Sequence, residues 1–317
     1  MMASAGRTDR KTQLLYLDIS DPAGAIVPRG SLEVDGLMNG YGAHDGRKLD
    51  FADGKTAHVI GEHAGDGGGY TLSTADFSNP DAPVLVSALA IAQTGWTAAA
   101  RFAGDRLYLA PQFGDGVNTS PVQVYDLADP AAPWLAGTIA LQGQVWNILP
   151  APGSQVFALA DDLANVDCDP LLLQHLDVID PAAPRLLEKT FGASWAVTAD
   201  GGAYKAFTLD ATKRLGVLAF PGLGSQGRGS NNGLQLIEFS PMTETTPGPA
   251  EPRGWTARGI QIGNRLVSLS RSSLTVVDYA NPMAPAVVNK LALESYMALP
   301  NGDRVLTETD EWLPILP

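Results

Sequence analysis

Asp126-Leu127-Ala128-Asp129-Pro130-Ala131-Ala132-Pro133 is the stretch that decides the fold. A short Asp or Asn ahead of Pro nucleates a turn. The side chain accepts nearby backbone N–H groups, and the pyrrolidine ring presets φ at about −65°. The alternating run Val122-Gln123-Val124-Tyr125 leads in and a second apolar run leads out, so the phrase reads as a turn joining two strands. It returns at Asp18-Ile19-Ser20-Asp21-Pro22, Asp76-Phe77-Ser78-Asn79-Pro80, Asp177-Val178-Ile179-Asp180-Pro181 and Asp278-Tyr279-Ala280-Asn281-Pro282. A degenerate copy stands at Phe239-Ser240-Pro241, and successive copies are 41 to 60 residues apart.

Two further signatures keep a constant order around this phrase. A tight turn followed by a long polar residue appears at Asp53-Gly54-Lys55, Gly104-Asp105-Arg106, Gly153-Ser154-Gln155, Thr212-Lys213-Arg214, Gly263-Asn264-Arg265 and Gly302-Asp303-Arg304. An aromatic precedes each of these turns: Tyr41, Trp96, Trp146, Trp195, Trp255 and Tyr296. Each repeat therefore holds four strands, A to D. The aromatic opens A, the Gly turn joins A to B, and the Asp/Asn-Pro turn joins C to D. Four short strands in every repeat predict an all-β, six-bladed β-propeller. Its blades would span about 37–93, 94–142, 143–192, 193–253 and 254–293, within one domain covering 12–313. The sixth is composite, with strands A and B from 294–313 and strands C and D from 12–35, so that a strand near 304–311 pairs with one near 13–19. Residues 1–11 are expected to form a flexible N-terminus. A seven-bladed ring with a cryptic blade and an open array are the alternatives.

Composition narrows the function classes. The chain has 317 residues with 34 Gly and 23 Pro, too many helix breakers for an all-helical protein. A net charge of −13 repels phosphate backbones and anionic lipid, which excludes general nucleic-acid binding. The single cysteine, Cys168, excludes an intrachain disulfide. No apolar run is long enough for a transmembrane helix, and the basic N-terminus has no apolar segment behind it, so no signal peptide is written there. A monomer is expected.

The Asp-x-x-Asp/Asn-Pro-x-Ala-Pro phrase resembles the LVIVD-type repeats of bacterial β-propeller proteins. Lys205-Ala206-Phe207-Thr208-Leu209-Asp210, Phe220-Pro221 and Gly233-Leu234-Gln235-Leu236 are similar to that family's most recognisable stretch. There an Asp-His pair usually precedes the Lys-Ala-Phe, and here Ala203-Tyr204 stand instead. The resemblance implies an exported binding or scaffold propeller without an established general reaction.

Propeller topology puts the A–B and C–D turns on one face and the B–C and D–A loops on the other. The second face takes most of the long insertions, 61–69, 111–121, 160–171 and 220–232, and the six aromatics open strand A there. Such a ring suits stacking on a sugar, a cation or a partner side chain, although aromatics repeated per blade also serve as core. Asp161, Asp162, Asp167 and Asp169 in the loop 160–171, with Asp66 and Asp115 in neighbouring loops, supply oxygen ligands of the kind Ca²⁺ uses, without an EF-hand spacing. His44, His58 and His63 cluster in sequence beside Asp45 and Glu62, but fall on different strand and loop positions. Gly222-Leu223-Gly224-Ser225-Gln226-Gly227 matches a dinucleotide fingerprint but is followed by a strand, which removes the helix that chemistry needs. Asn118-Thr119-Ser120 is a glycosylation sequon. The expectation is a non-enzymatic propeller without cofactor or metal, binding a protein or carbohydrate through Tyr41, Trp96, Trp146, Trp195, Trp255 and Tyr296. The alternative is a hydrolase or lactonase with a metal in the central channel. That chemistry needs carboxylate, amide or imidazole groups where strand A opens; Trp96-Thr97-Ala98-Ala99-Ala100 and Trp195-Ala196-Val197-Thr198 offer almost none, though Trp146-Asn147 does.

Overall fold

The computed structural model describes residues 2–8, 11–21, 24–38, 48–51, 53–63, 68–92, 98–111, 118–151, 153–161, 170–194, 207–210, 215–220, 233–238, 256–270, 273–281, 284–292, 296–298 and 305–307. Among them every regular element is a strand, and no helix is long and apolar enough to cross a membrane. The chain divides into two compact units, Met1–Phe191 and Gly192–Pro317.

The first unit opens with a three-stranded antiparallel sheet of β1 (Met2–Thr8), β2 (Lys11–Asp18) and β3 (Val27–Asp35). A four-stranded sheet follows: β4 (Leu49–Asp50), β5 (Thr56–Glu62), β6 (Tyr70–Asp76) and β7 (Val84–Ile91). The next holds β8 (Ala98–Ala103), β9 (Arg106–Pro111), β10 (Thr119–Asp126) and β11 (Trp134–Gln142). The fourth holds β12 (Gln144–Ala151), β13 (Gln155–Asp161), β14 (Pro170–Asp177) and β15 (Arg185–Ser194). In the second unit lie β16 (Phe207–Asp210), β17 (Leu215–Phe220) and β18 (Gly233–Glu238) in one sheet. Its four-stranded sheet is β19 (Thr256–Ile262), β20 (Arg265–Ser270), β21 (Ser273–Asp278) and β22 (Ala286–Ala292). The pair β23 (Tyr296–Ala298) and β24 (Val305–Thr307) closes the order.

The N-terminus departs from the sequence expectation. Residues 2–8 are not a flexible lead-in but β1, pairing Met2 with Tyr16, Ser4 with Leu14 and Thr8 with Lys11. β1 thus occupies the edge of β2 where the sequence reading placed a strand near 304–311, while Val305–Thr307 pairs with Tyr296–Ala298, the A–B pairing read for the C-terminal half-blade. The physical reason is loop closure. A strand edge accepts any extended backbone, and a partner one short connection away costs far less entropy than one hundreds of residues distant.

Successive sheets of the first unit pack face to face through three apolar layers. Leu14 and Val34 meet Val59, Ala75 and Phe77. Ile60, Tyr70 and Leu72 meet Leu107, Leu109 and Leu127. Ala110, Val122 and Val124 meet Val145, Val156 and Leu176. Strands with a neighbouring sheet on both faces are buried along their length, as in β5 and β6, whereas the outer strand β7 is largely exposed.

The turns obey the chemistry read from their residues. Gly54, Gly104, Gly153 and Gly263 adopt φ between 56° and 77°, the left-handed geometry their A–B turns require. In all five complete C–D phrases the first Asp accepts the backbone N–H two residues on: Ser20 at 3.0 Å, Ser78 at 2.7 Å, Ala128 at 2.9 Å, Ile179 at 3.0 Å and Ala280 at 2.9 Å. The second Asx then opens a β-turn, with Ala82, Ala132, Ala183 and Ala284 donating to the carbonyls of Asn79, Asp129, Asp180 and Asn281. The two turn types share one end of each sheet, since Phe77, Leu127, Val178 and Tyr279 donate to the carbonyls of Lys55, Asp105, Ser154 and Asn264. Replacing Asp126 by Asn keeps the acceptor and is expected to leave the melting temperature near parental. Asp126→Ala removes it and should cost about 1 kcal/mol.

Three of these turns also seat on the sheet before them. Gly30 N–H donates to the Pro80 carbonyl at 2.7 Å, and Ser87 Oγ donates to the Pro130 carbonyl at 2.7 Å. Gly137 lies so close to the Pro181 carbonyl that a β-carbon there would collide with it. Arg29 adds a two-pronged ion pair to Asp81, with Nε to Oδ1 at 2.6 Å and Nη2 to Oδ2 at 2.5 Å.

These bonds bias the carboxylates toward ionisation. Asp18 is held below the ordinary value of 3.8 by the Ser20 amide, Asp76 by the Ser78 hydroxyl and amide, Asp81 by the Arg29 guanidinium, and Asp177 by the Ile179 amide and then Arg185. A depressed folded-state value contributes stability that is complete above 3.8 and lost as pH falls through it. Burial holds His58 below 6.5, and a buried neutral imidazole likewise loses its contribution as pH falls from 6.5. The melting temperature is therefore expected to be level above neutrality and to fall steeply below pH 4, a profile that calorimetry across pH 2–8 would check.

Candidate functional site

The opposite end of the sheets, where B–C connections and the starts of A strands meet, is the candidate site. In the second sheet β5 ends at Glu62 and β6 begins at Tyr70, and these two residues are register partners. On the other edge of β5, Leu37 pairs with Glu62, and Ile60 donates to the Lys48 carbonyl at 2.8 Å. Leu37 and Lys48, eleven positions apart in sequence, thus lie opposite strand positions only two apart.

The approach of Asp35 and Gly36 to Gly61 is backbone on backbone. Gly36 has φ of 85°, and a β-carbon on it would stand 2.5 Å from the Gly61 carbonyl carbon, while one on Gly61 would collide with the Asp35 carbonyl. Beside it Lys48 is fully buried, and its Nζ meets Glu62 Oε2 at 3.2 Å. A buried ion pair costs desolvation that its Coulomb attraction only partly offsets, so it fixes geometry more than it adds stability. The Tyr70 hydroxyl, buried with no hydrogen-bond partner among the described residues, is pushed well above the ordinary phenol value by burial and then by the Glu62 charge. It therefore stays protonated.

The described histidines do not converge. His58 Nδ1 meets Thr74 Oγ1 at 3.2 Å, and its ring stacks on Phe102 with centroids 6.0 Å apart. His63 Nε2 meets Thr71 Oγ1 at 2.7 Å. Five residues separate them along an extended run, about 16 Å. His175, the fourth histidine, stacks on Phe157 at 4.3 Å and reaches Gln155 at 3.1 Å. His44 lies outside the described residues, as do Asp45, Asp66, Asp115, Asp162, Asp167, Asp169 and the 222–227 glycine run. No group of three or more metal-ligating side chains occurs among the described residues. In the sequon, Ser120 is buried, donating to the Gly143 carbonyl at 3.0 Å and accepting from the Val145 N–H at 3.0 Å.

Of the six aromatics, Tyr41, Trp96, Trp195 and Trp255 lie outside the described residues. Tyr296 opens β23, the strand position expected of it. Trp146 is the third residue of β12 rather than its first, and it is 5% exposed. Sequence reasoning missed the Lys48–Glu62 pair, because lysine is almost never fully buried. It also passed over Trp134, which is 54% exposed at the start of β11. The available signal was its place directly after the Ala-Pro of the turn, where the other repeats carry Val84, Arg185 and Ala286.

No family model and no curated protein matches this chain. Solved structures do. The crystal structure of Saccharomyces cerevisiae Sqt1 superimposes with a TM-score of 0.51 at 8% identity, covering 98% of this chain and 78% of the other. Dihydro-heme d1 dehydrogenase NirN, in complex with DHE, does so with a TM-score of 0.50 at 13% identity, covering 97% of this chain and 57% of the other. Both are β-propeller proteins. The fold is propeller-like. At such identities the likeness extends to architecture alone.

Proposed function

We propose that this chain is a non-enzymatic recognition propeller that binds a protein or carbohydrate partner at the B–C loop end of its sheets. The observation that carries the reading is the contrast between A–B and B–C connections in the first unit. β8–β9 and β12–β13 are joined by two or three residues, while β5–β6, β9–β10 and β13–β14 are joined by seven or eight; the seven-residue C–D connections are taken up by the Asx-Pro turns. Long loops on rigid, doubly buried strands are where binding surfaces usually form. The sixfold recurrence of the Asx-Pro phrase supports a count of six blades. Its wording supports kinship with LVIVD-type bacterial propellers and, through them, an exported setting. The unmatched aromatics, Tyr41, Trp96, Trp195 and Trp255, are the residues to substitute first. The test pairs pull-down and glycan-array binding with metal analysis of protein purified without chelators. Partner capture that Ala substitution of those aromatics weakens is the expected result. A stoichiometric metal whose removal abolishes a hydrolytic activity would overturn the reading in favour of an enzyme.

A further inference from the structure

The turn-bearing end of the first unit carries a feature that recognition at the loop end does not use. The outer strands begin there with exposed apolar side chains: Val84, Leu85 and Val86 in β7, Trp134 and Leu135 in β11, Leu186 and Leu187 in β15. The seats described above join these segments edge to edge. Ser87 bonds the Pro130 carbonyl, and Gly137 packs on the Pro181 carbonyl, so the apolar segments alternate with Asx-Pro turns along one rim.

Charge decides what fits it. In three of the five complete phrases the first Asp of the turn has a cation of this chain beside it: Arg29 on Asp18 at 3.4 Å, Arg185 on Asp177 at 2.5 Å and Arg265 on Asp278 at 3.3 Å. Asp76, with Val84 across β7, and Asp126 have no such ion pair among the described residues, and Asp126 is the one that stands beside an indole. Its partner across β11 is Trp134, the place Arg185 takes as the first residue of β15 in the following sheet. Its partner across β9, Arg106, sends its guanidinium away to the Val178 carbonyl. Among the described residues no cation lies within ion-pair distance of Asp126 or Asp129. Where the next repeat supplies its own guanidinium, this one offers an open indole face between carboxylates and apolar neighbours.

We infer that this rim, centred on Trp134, Leu135, Asp126 and Asp129, docks a partner protein through a basic segment that interleaves Lys or Arg with apolar side chains. The cation would sit over the Trp134 ring within reach of both carboxylates, and the apolar side chains would cover Leu135 and Val84–Val86. Exposed tryptophan flanked by apolar and charged groups is the usual composition of a binding hot spot.

The test uses the full chain and a short peptide of alternating lysine and leucine, with its glutamate-for-lysine counterpart as control. The lysine peptide should bind and weaken with added salt, and the glutamate peptide should not. Trp134→Ala should weaken binding about tenfold, with the melting temperature unchanged because the ring is exposed. Asp126→Asn with Asp129→Asn, which keeps both turn acceptors, should do the same. Neutralising Asp35 in β3, away from the rim, should change binding less than about twofold. Equal losses from the Asp35 and rim variants would reduce the effect to net charge and overturn the inference. So would no binding of the lysine peptide, sedimentation with phosphatidylcholine vesicles in its place, or self-association that Trp134→Ala abolishes.

Discussion

Trp146→Ala is expected to lower folding stability by ~3–5 kcal/mol, the usual cost of removing a large buried aromatic. The indole is 5% exposed, with Val145 and Ile148 on either side of it in sequence both packed against the third sheet. Thermal or urea unfolding measures this directly. The result also separates two roles that repeated aromatics can play. A variant that kept parental stability but lost a partner would make Trp146 a contact residue, whereas the expected large loss makes it packing. Trp134→Ala supplies the internal contrast, since that ring stands mostly in solvent.

Gly137→Ala should cost ~1–3 kcal/mol through overpacking, since the new methyl meets a backbone carbonyl that cannot rotate away. The residue has ordinary backbone angles, so contact alone sets the cost. Gly104→Ala is the matched control. Its β-carbon would meet nothing within 4 Å, and only the left-handed φ of 56° penalises it, by about 1 kcal/mol. If the two variants lost equal stability, the seat between the third and fourth sheets would not be tight.

Most of the architecture was legible because its punctuation is local. Asp76, Asp126 and Asp177 accept amides two residues on whatever the rest of the chain does, and Gly54, Gly104 and Gly153 supply conformations other residues resist. Both are decided within a few residues, which is what a single sequence can express. The partner of β2 was not legible, since a strand edge recognises backbone rather than side chains. Met2-Ala3-Ser4-Ala5 has no strong strand pattern to announce β1. The site was harder still. Trp134 and Trp146 are the same residue type in neighbouring repeats, one exposed and one buried, and their neighbours across space decide which. Lys48 reads as surface until Glu62 is placed beside it.

The proline seats have a consequence for how such a chain grows. Each joint is split between two repeats, with the small residue, Gly30, Ser87 or Gly137, in one and the proline carbonyl, Pro80, Pro130 or Pro181, in the next. One copied segment such as 94–142 therefore carries a socket for its successor and a plug for its predecessor. Duplicated in tandem, it would mate with itself and with both original neighbours without a new surface having to be invented. Repeat number in such a chain can change by whole-segment gain or loss, each intermediate already jointed, while the loops at the far end diverge independently.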